Sequence, residues 1–290
     1  MSTRLSSVAS DIEDAEVLII DAAAHEWCCG WAESNGPDVV LPGVSFGDRD
    51  AWSAAMAEVF EKMEAEPSEI AVLLCEPPGV TAADREHVAA TLFGVHRVCA
   101  LHVAAAPVLA LYNTGFTGIV VDVGEESASI HVIYDGAAVL ETATIHALAD
   151  AVPLHEAIIR TANLADASLR GALLHAVVLA GHGSVGGDFA AQLERELRAA
   201  LDATKWQPRV VARADRRLAV WLGGAILASI PSSIEEFVAR VEHEDDPAEL
   251  GRKCPPLPAL RIDEQEAARR RGALLGTALR PLSPRDLHFR

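Results

Sequence analysis

The chain has 290 residues and a formal net charge of −18 at neutral pH, and half of its residues are hydrophobic while only 5% are aromatic. A chain of this length can bury one large core or two medium ones, and its acidity argues against nucleic acid or an anionic membrane as a partner of the main body. The charge is uneven, because residues 251–290 hold nine Arg and Lys against four Asp and Glu.

The cysteines and the apolar runs indicate the compartment. Five cysteines are present, and they form no CxxC pair. An odd count without the spacing of a disulfide framework indicates a reducing environment. The N-terminus has no apolar signal-peptide core, and no apolar run is long enough to span a membrane. The sequence therefore predicts a soluble, cytoplasmic protein with no membrane span.

The first part of the chain alternates apolar strands with helices. One helix has Thr81 at its N-cap and Asp84 three residues later, where a capping box would place Glu. A very apolar helix further on tolerates Pro107 in its first turn. The predicted strands are Val17–Asp21, Trp27–Ala32, Val39–Leu41, Ile70–Cys75 and Val98–Val103, and the predicted helices are Asp50–Glu64, Thr81–Phe93 and Ala104–Tyr112.

A second strand meander begins at Thr117. The apolar run Ile119–Val121 predicts a buried strand that ends at Asp122 and Gly124, and alternation in Ser129–Tyr134 predicts the next strand. A strand that delivers an Asp and a Gly to a turn can present a carboxylate and bare backbone N–H groups to a phosphate and its metal. On these residues alone, an ordinary meander with an acidic loop is the simpler interpretation.

The remaining elements are mostly helical. A buried strand leads into a glycine-rich turn at Gly181–Gly187, and prolines at 255, 256 and 258 mark a linker. The predicted strands are Ala137–Thr144, Ala176–Ala180 and Arg209–Ala212, and the predicted helices are Ala151–Asn163, Ala165–His175, Phe189–Leu201, Leu218–Ser229 and Pro231–Val241. Two similar α/β halves result, and each opens with a meander whose first turn carries an aspartate, Asp21 or Asp122.

Several blocks, in order from about Val17 to Asp246, resemble the actin family, that is, actin or a bacterial actin-related protein. The blocks are Gly30–Glu33 with Pro37 and Pro42, Val72–Pro78, Leu109–Tyr112 followed by Gly118–Asp122, His155–Glu156, Val178–Gly181 and Val220–Ser229. The resemblance implies an actin-like (ribonuclease H-like) fold of two related halves, each a mixed sheet with flanking helices. It also implies ATP and a divalent metal in the cleft between the halves, and ATP-linked filament assembly.

The resemblance divides the chain into domains. Residues 1–116 with 217–250 correspond to the first half and residues 117–216 to the second, while 251–290 form a linker and a basic C-terminal helix. Most of the two upper subdomains of actins is missing, because only Val44–Asp50 and Ala147–Leu154 remain of them. The chain is therefore predicted to be a reduced actin-like protein.

The first phosphate loop departs from the family pattern. After Asp21 the turn holds alanines where actins have a glycine, and Cys28 stands where actins have a lysine. A Cβ at each turn position hinders close backbone approach, and the lost lysine removes a charge that would neutralise phosphate. Ala106 occupies the position of a water-orienting glutamine, so hydrolysis loses its positioning residue.

The other loops are mixed. Asp122 and Gly124 match the family, but Glu125 and Glu126 follow where one Asp and a second Gly are expected. In the adenine loop, His182 replaces the second glycine, and Arg217 stands near the position of an adenine-contacting lysine. At Glu125 and Glu126, an extra carboxylate about 4 Å from a phosphate would weaken phosphate binding by roughly 1–4 kcal/mol.

If the cleft is functional, its cofactors are ATP and Mg, and no catalytic residue is assigned. The nucleotide-binding candidates implied by the resemblance are Asp21, Asp122, Gly124, Gly181, Gly183 and Arg217. Asp21 and Asp122 are also the metal candidates, each through a bound water. The alternative interpretation, of equal weight, is that the two aspartates are relics that cap hairpin turns and that the glycines serve only their turns. The histidines predict no metal site, since His25, His182 and His243 are isolated.

The sequence predicts a structural, cytoskeletal protein with a degenerate nucleotide cleft, little or no ATPase activity and self-assembly into oligomers or filaments. One alternative is an active ATP-binding protein with nucleotide-linked polymerisation, and another is a non-polymerising scaffold for unknown protein partners. The basic segment 259–282 is expected to dock as a helix on an acidic surface of the same molecule or of a neighbour.

Overall fold

The computed structural model describes residues 15–139, 142–149 and 152–257. These residues form two compact units, one of which contains 15–113 with 218–257 while the other contains 114–217. Each unit holds a six-stranded mixed β-sheet with flanking helices. The predicted α/β fold of two related halves is therefore confirmed.

The described residues contain twelve strands and nine α-helices in addition to short 3₁₀ and π segments. In chain order the strands are β1 (Val17–Ala22), β2 (Glu26–Trp31), β3 (Val39–Pro42), β4 (Ala71–Glu76), β5 (Ala100–Ala105), β6 (Gly118–Val123), β7 (Ser127–Tyr134), β8 (Ala137–Ala138), β9 (Thr144–Ala147), β10 (Val177–Ala180), β11 (Val210–Val211) and β12 (Val238–Ala239). The helices are α1 (Arg49–Lys62), α2 (Ala82–Ala89), α3 (Ala106–Tyr112), α4 (Leu154–Leu164), α5 (Arg170–His175), α6 (Phe189–Ala200), α7 (Ala219–Ala228), α8 (Arg240–Asp245) and α9 (Glu249–Lys253).

The sheet of the first unit has the strand order β12-β5-β4-β1-β2-β3. Strands β1, β4 and β5 run parallel, and the outer pairs are antiparallel. Two tryptophans that face the core, Trp27 and Trp52, are fully buried and meet edge to face with ring centroids 5.8 Å apart. Strands β4 and β5 are almost entirely buried and apolar apart from Glu76 and His102, which suits the centre of a parallel sheet.

Helix α7 packs closely on helix α3 within the first unit. A Cβ on Gly223 would lie 2.0 Å from the carbonyl oxygen of Leu109, so no side chain fits between the two backbones. Gly224 faces the sheet, where an added Cβ would lie 3.0 Å from Ile19. The pair of glycines in this otherwise apolar helix is thus explained by close packing.

The sheet of the second unit has the order β11-β10-β6-β7-β8, and β9 also pairs with β7. Strand β6 is parallel to β10 and antiparallel to β7. Helices α4, α5 and α6 bury apolar residues in one core with this sheet, including Ile158, Leu174 and Leu197. The central strands are therefore packed against these helices, and the loops at their carboxyl ends extend from that packed core.

The capping box predicted at Thr81 is confirmed. The Asp84 N–H donates to Thr81 Oγ1 at 3.2 Å, and Asp84 Oδ2 accepts from the Thr81 N–H at 3.1 Å. The helix then continues as a π-helix over Ala90–His96 and ends at Arg97, which has φ of 62°.

Three predicted elements are wrong in extent. The helix predicted over Pro231–Val241 is a 3₁₀ turn followed by β12 and α8, because Val238 and Ala239 extend the sheet beside β5. The strand predicted over Ala137–Thr144 is two short strands that pair with different parts of β7. The helix predicted from Ala165 begins at Arg170, since Asp166 accepts hydrogen bonds from the backbone and hydroxyl of Ser168 and favours a turn.

Two chain connections are short at the places where the resemblance implies the upper subdomains of actins. Residues 43–48 join β3 to α1, and residues 148–153, of which 150 and 151 lie outside the described residues, join β9 to α4. The prediction of a reduced form agrees with these connections.

The first unit continues past residue 250. Helix α9 leads to Cys254, which is buried and accepts a hydrogen bond at its Sγ from the Val103 N–H at 3.3 Å. Arg85 donates to the Cys254 carbonyl and pairs with the buried Glu76 through two bonds of 2.6 and 2.7 Å. The predicted basic helix at 259–282 lies outside the described residues.

Among the helices of the described residues, none has the length and apolarity needed to cross a membrane.

Candidate functional site

Asp122 stands near the end of β6, a central strand of the second unit's sheet. It pairs in register with Ser129 of β7 on one side and with Ala180 of β10 on the other. The turn that follows is closed by the Gly124 N–H, which donates to the Ser127 carbonyl at 2.9 Å. The strand therefore delivers a carboxylate to the mouth of a tight turn, as the sequence predicts.

The loop after β10 packs directly on this turn. Gly181 has φ of 81°, and a Cβ there would lie 2.1 Å from Asp122 Oδ1. A Cβ on Gly183 would lie 2.1 Å from the Gly124 carbonyl oxygen. The structure therefore brings together four of the six predicted site residues, and it explains both loop glycines by the close approach of two backbones.

An arginine that the sequence analysis missed holds this loop in place. The Arg216 guanidinium donates to the Ser184 carbonyl at 2.9 and 3.2 Å, and its own carbonyl accepts from the Gly181 N–H at 3.2 Å. Ser184 is buried and its hydroxyl donates back to the Gly181 carbonyl at 2.7 Å. The predicted residue, Arg217, is the exposed neighbour of Arg216 in the same 3₁₀ turn. The sequence indicates only that two arginines are adjacent here, and their contacts in the structure are needed to tell which one holds the loop.

Polar side chains share the face of the second sheet on which Asp122 lies. Since alternate residues of a strand face the same way, Ser129 and His131 point to the side of Asp122, while Ile130 and Val132 join the helical core. Ser129 Oγ and His131 Nε2 are buried and have no hydrogen-bond partner among the described residues. Buried polar atoms of this kind normally bind an ordered water or a ligand.

Burial shifts two pKa values on this face in opposite directions. The residue Asp122 is only partly buried, yet burial of its carboxyl group raises the pKa to about 6. Burial also lowers the pKa of His131 to about 4, because the imidazolium loses hydration. A cation near the carboxylate would favour its charged form.

Asp21 stands at the end of β1 in the first unit and is buried. Its register partners are Cys28 on β2 and Cys75 on β4, so the aspartate lies between two buried thiols. Burial raises the pKa of the Cys75 thiol well above its usual range, and the charge of Asp21 adds to the shift. The position of the expected lysine, Cys28, is buried beside this carboxylate.

The turn after Asp21 is packed differently from the turn after Asp122. The Gly43 N–H donates to the His25 carbonyl at 2.9 Å, and a Cβ on Gly43 would lie 2.1 Å from the Ala24 carbonyl oxygen. The first turn is therefore held by the end of its own hairpin meander. Ala106, the first residue of α3, is buried and offers no polar side-chain atom.

The chain matches one family model, described as Actin, over residues 47–152 and 140–255. It is 37% identical over 168 residues to actin-related protein 2 of Acanthamoeba castellanii, which covers 43% of this chain and 43% of that protein. It is 42% identical over 72 residues to actin-related protein 4 of Arabidopsis thaliana, covering 24% of the chain and 16% of the relative. It is 31% identical over 118 residues to actin-related protein 3 of Oryza sativa subsp. indica, covering 36% and 28%.

These matches span less than half the length of each relative. All three relatives come from eukaryotes, and the predicted bacterial origin stays a prediction. The family model, in contrast, matches most of the chain, in two regions that overlap at residues 140–152 within the second unit. The chain belongs to the actin family.

Proposed function

We propose that the protein is a structural member of the actin family that binds Mg-ATP weakly or not at all and assembles with copies of itself. The observation that carries this proposal is the chemistry of the two hairpin turns. The first turn presents alanines beside a buried thiol at Cys28, and the second presents the exposed carboxylates of Glu125 and Glu126. Neither arrangement suits the negative charge of a triphosphate.

The residues suit a cation better than they suit a nucleotide. Asp122 pays an ionisation penalty at neutral pH that a divalent ion would offset. Atoms of Asp122, Val123 and Gly124 occupy the space that a Cβ on Gly181 or Gly183 would need. Close packing therefore accounts for glycine at both positions without a bound phosphate. Asp21 and Asp122 remain candidates for holding a metal through water, each within its own unit.

Hydrolysis is expected to be absent or very slow. The methyl group of Ala106 is buried at the start of α3 and cannot orient an attacking water. Phosphate release should therefore match that of an Asp21→Asn, Asp122→Asn double variant. A clear fall of activity in the double variant would instead favour the alternative of an active actin-like ATP-binding protein.

Self-assembly is proposed to use a contact other than the usual longitudinal one of actins. The upper subdomains that normally contribute to that contact are reduced to short connections at 43–48 and 148–153. Homo-oligomers or filaments with little nucleotide dependence follow, in the cytoplasm and without nucleic acid. Unknown protein partners belong to the second alternative, a non-polymerising scaffold.

Electron microscopy of the purified full-length protein, with and without Mg-ATP, tests the assembly proposal. Oligomers or filaments that form equally under both conditions support it. A filament with the ordinary actin-like repeat that appears only with Mg-ATP would support the active alternative. Monomers under both conditions would support the scaffold.

A further inference from the structure

One histidine that the sequence left isolated lies beside a carboxylate in the second unit. His182 and Glu125 each offer a metal-ligand atom, and these two atoms lie within 4.8 Å of each other. Both side chains are exposed. Fifty-six positions separate them in the sequence, so no local motif could have indicated the pair.

The backbones that carry the two side chains are held together. His182 lies between Gly181 and Gly183, the two residues that touch Asp122 and Gly124, and Glu125 follows Gly124 directly. The Val185 N–H donates to the His182 carbonyl at 3.1 Å, and Arg216 holds Ser184 from the other side. The backbones of the two ligands are therefore held close together before any ion binds, which lowers the entropic cost of bringing the side chains together.

We propose that His182 and Glu125 bind a divalent transition-metal ion such as Zn²⁺, in the absence of nucleotide. An imidazole nitrogen suits Zn²⁺, Ni²⁺ and Cu²⁺, whereas Mg²⁺ prefers an all-oxygen shell. A carboxylate and an imidazole are common zinc ligands, and water can complete the coordination. The strongly acidic body of the chain adds a general attraction for cations.

This site would give the loop after β10 a metal ligand at the position where the resemblance implies a second glycine of the adenine loop. The histidine occupies a position where a glycine would leave room for a ligand, so its side chain changes what the loop can hold. The inference does not depend on the proposed assembly or on weak ATP binding.

The test is a competition titration of Zn²⁺ between a chromophoric chelator and the full-length protein, with no nucleotide present. His182→Ala and Glu125→Gln should each weaken binding by roughly tenfold or more, as expected when a ligand is removed. His175→Ala and Glu126→Gln are matched controls, because both residues are exposed and belong to the same unit. The controls should change the affinity less than about threefold, within the scatter of surface effects.

Co²⁺ gives a second measurement that distinguishes this pair from the cysteines. Cobalt bound here should lack the intense thiolate-to-metal charge-transfer band, since the ligands are nitrogen and oxygen. Unchanged Zn²⁺ affinity in His182→Ala, or a strong thiolate band that persists in that variant, would overturn the proposal. Tight Mg-ATP binding would contradict the proposed function but would leave this result standing.

Discussion

Each unit presents an aspartate near the end of a central strand, but the surroundings of the two carboxylates differ. Asp21 lies between Cys28 and Cys75, and its turn is held by Gly43 from the same hairpin meander. Asp122 lies between Ser129 and Ala180, and its turn is held by a glycine loop from the neighbouring parallel strand. Similar topology therefore supports two different chemical environments.

The difference indicates which unit is the better candidate for binding a ligand. The row around Asp21 is buried and its flanking side chains are thiols. Near Asp122 lie the buried polar atoms of Ser129 and His131, which have no hydrogen-bond partner among the described residues, and the exposed Glu125 and His182 follow β6 and β10. Substitutions in the first unit should thus report packing, whereas those in the second should also report pH and cations.

The largest loss of stability is expected on removing the arginines that bind Glu76 at the end of β4 and Ser184 in the loop after β10. Arg85→Ala leaves the buried Glu76 carboxylate without its partner and should lower the free energy of unfolding by about 3–5 kcal/mol. Arg216→Ala removes hydrogen bonds to a carbonyl at a partly exposed site and should cost about 1–2 kcal/mol. Urea unfolding of both variants measures the comparison. Equal losses of unfolding free energy in the two variants would contradict the expected difference between a buried ion pair and a partly exposed hydrogen bond.

The next effect concerns the glycines that support the two turns. Gly181→Ala combines a backbone clash with a positive φ and should lower stability by roughly 2–4 kcal/mol. Gly43→Ala meets a comparable clash without the positive φ and should cost somewhat less. Gly36→Ala is the control, because nothing lies near an added Cβ there. Thermal melts in which Gly181→Ala resembles the control would contradict the close approach of the two loops.

His131→Leu should raise stability in acid. The pKa of His131 is lowered from 6.5 to about 4 in the folded state, so the native protein loses stability as pH falls through that interval. The variant has no group to protonate and should be more stable by roughly 2–3 kcal/mol near pH 4, with little difference attributable to titration above pH 7. Unfolding at several pH values measures this, with the exposed His175→Gln as control. Parallel pH profiles for the variant and the unsubstituted protein would contradict the lowered pKa of His131.

Asp122→Asn should act at the other end of the pH range. Its folded pKa is raised from 3.8 to about 6, so the penalty for the charged carboxylate is absent below pH 3.8 and complete above pH 6. Because the residue is only partly buried, the variant should be more stable by a discounted amount, roughly 1–2 kcal/mol at pH 8. The difference should vanish toward pH 4, and Asp188→Asn serves as an exposed control. A destabilised variant at pH 8 would mean that a favourable contact of the carboxylate outweighs its burial.

The sequence predicted the fold well because apolar strands and capped helices are local signals. The strands around Asp21 and Asp122, the capping box at Thr81 and the glycine pair in α7 all follow from short stretches of residues. The extent of β12 and of α5 did not, because sheet pairing at an edge and the turn at Asp166 override helical periodicity.

The site was predicted only in part, and mostly through family resemblance. Asp122, Gly124, Gly181 and Gly183 were identified and do converge. Arg216, His131 and the pairing of His182 with Glu125 could not be recognised, since each depends on contacts between residues far apart in the chain. That these residues bind Mg-ATP weakly or not at all stays a prediction.

Calorimetric titration of the full-length protein with Mg-ATP tests the central claim most directly. The claim is that the altered turns at Asp21 and Asp122 no longer hold a triphosphate. We expect no binding tighter than roughly 0.1 mM, a binding free energy of about −5.5 kcal/mol. A dissociation constant in the micromolar range would contradict the account and identify an active nucleotide-binding member of the family.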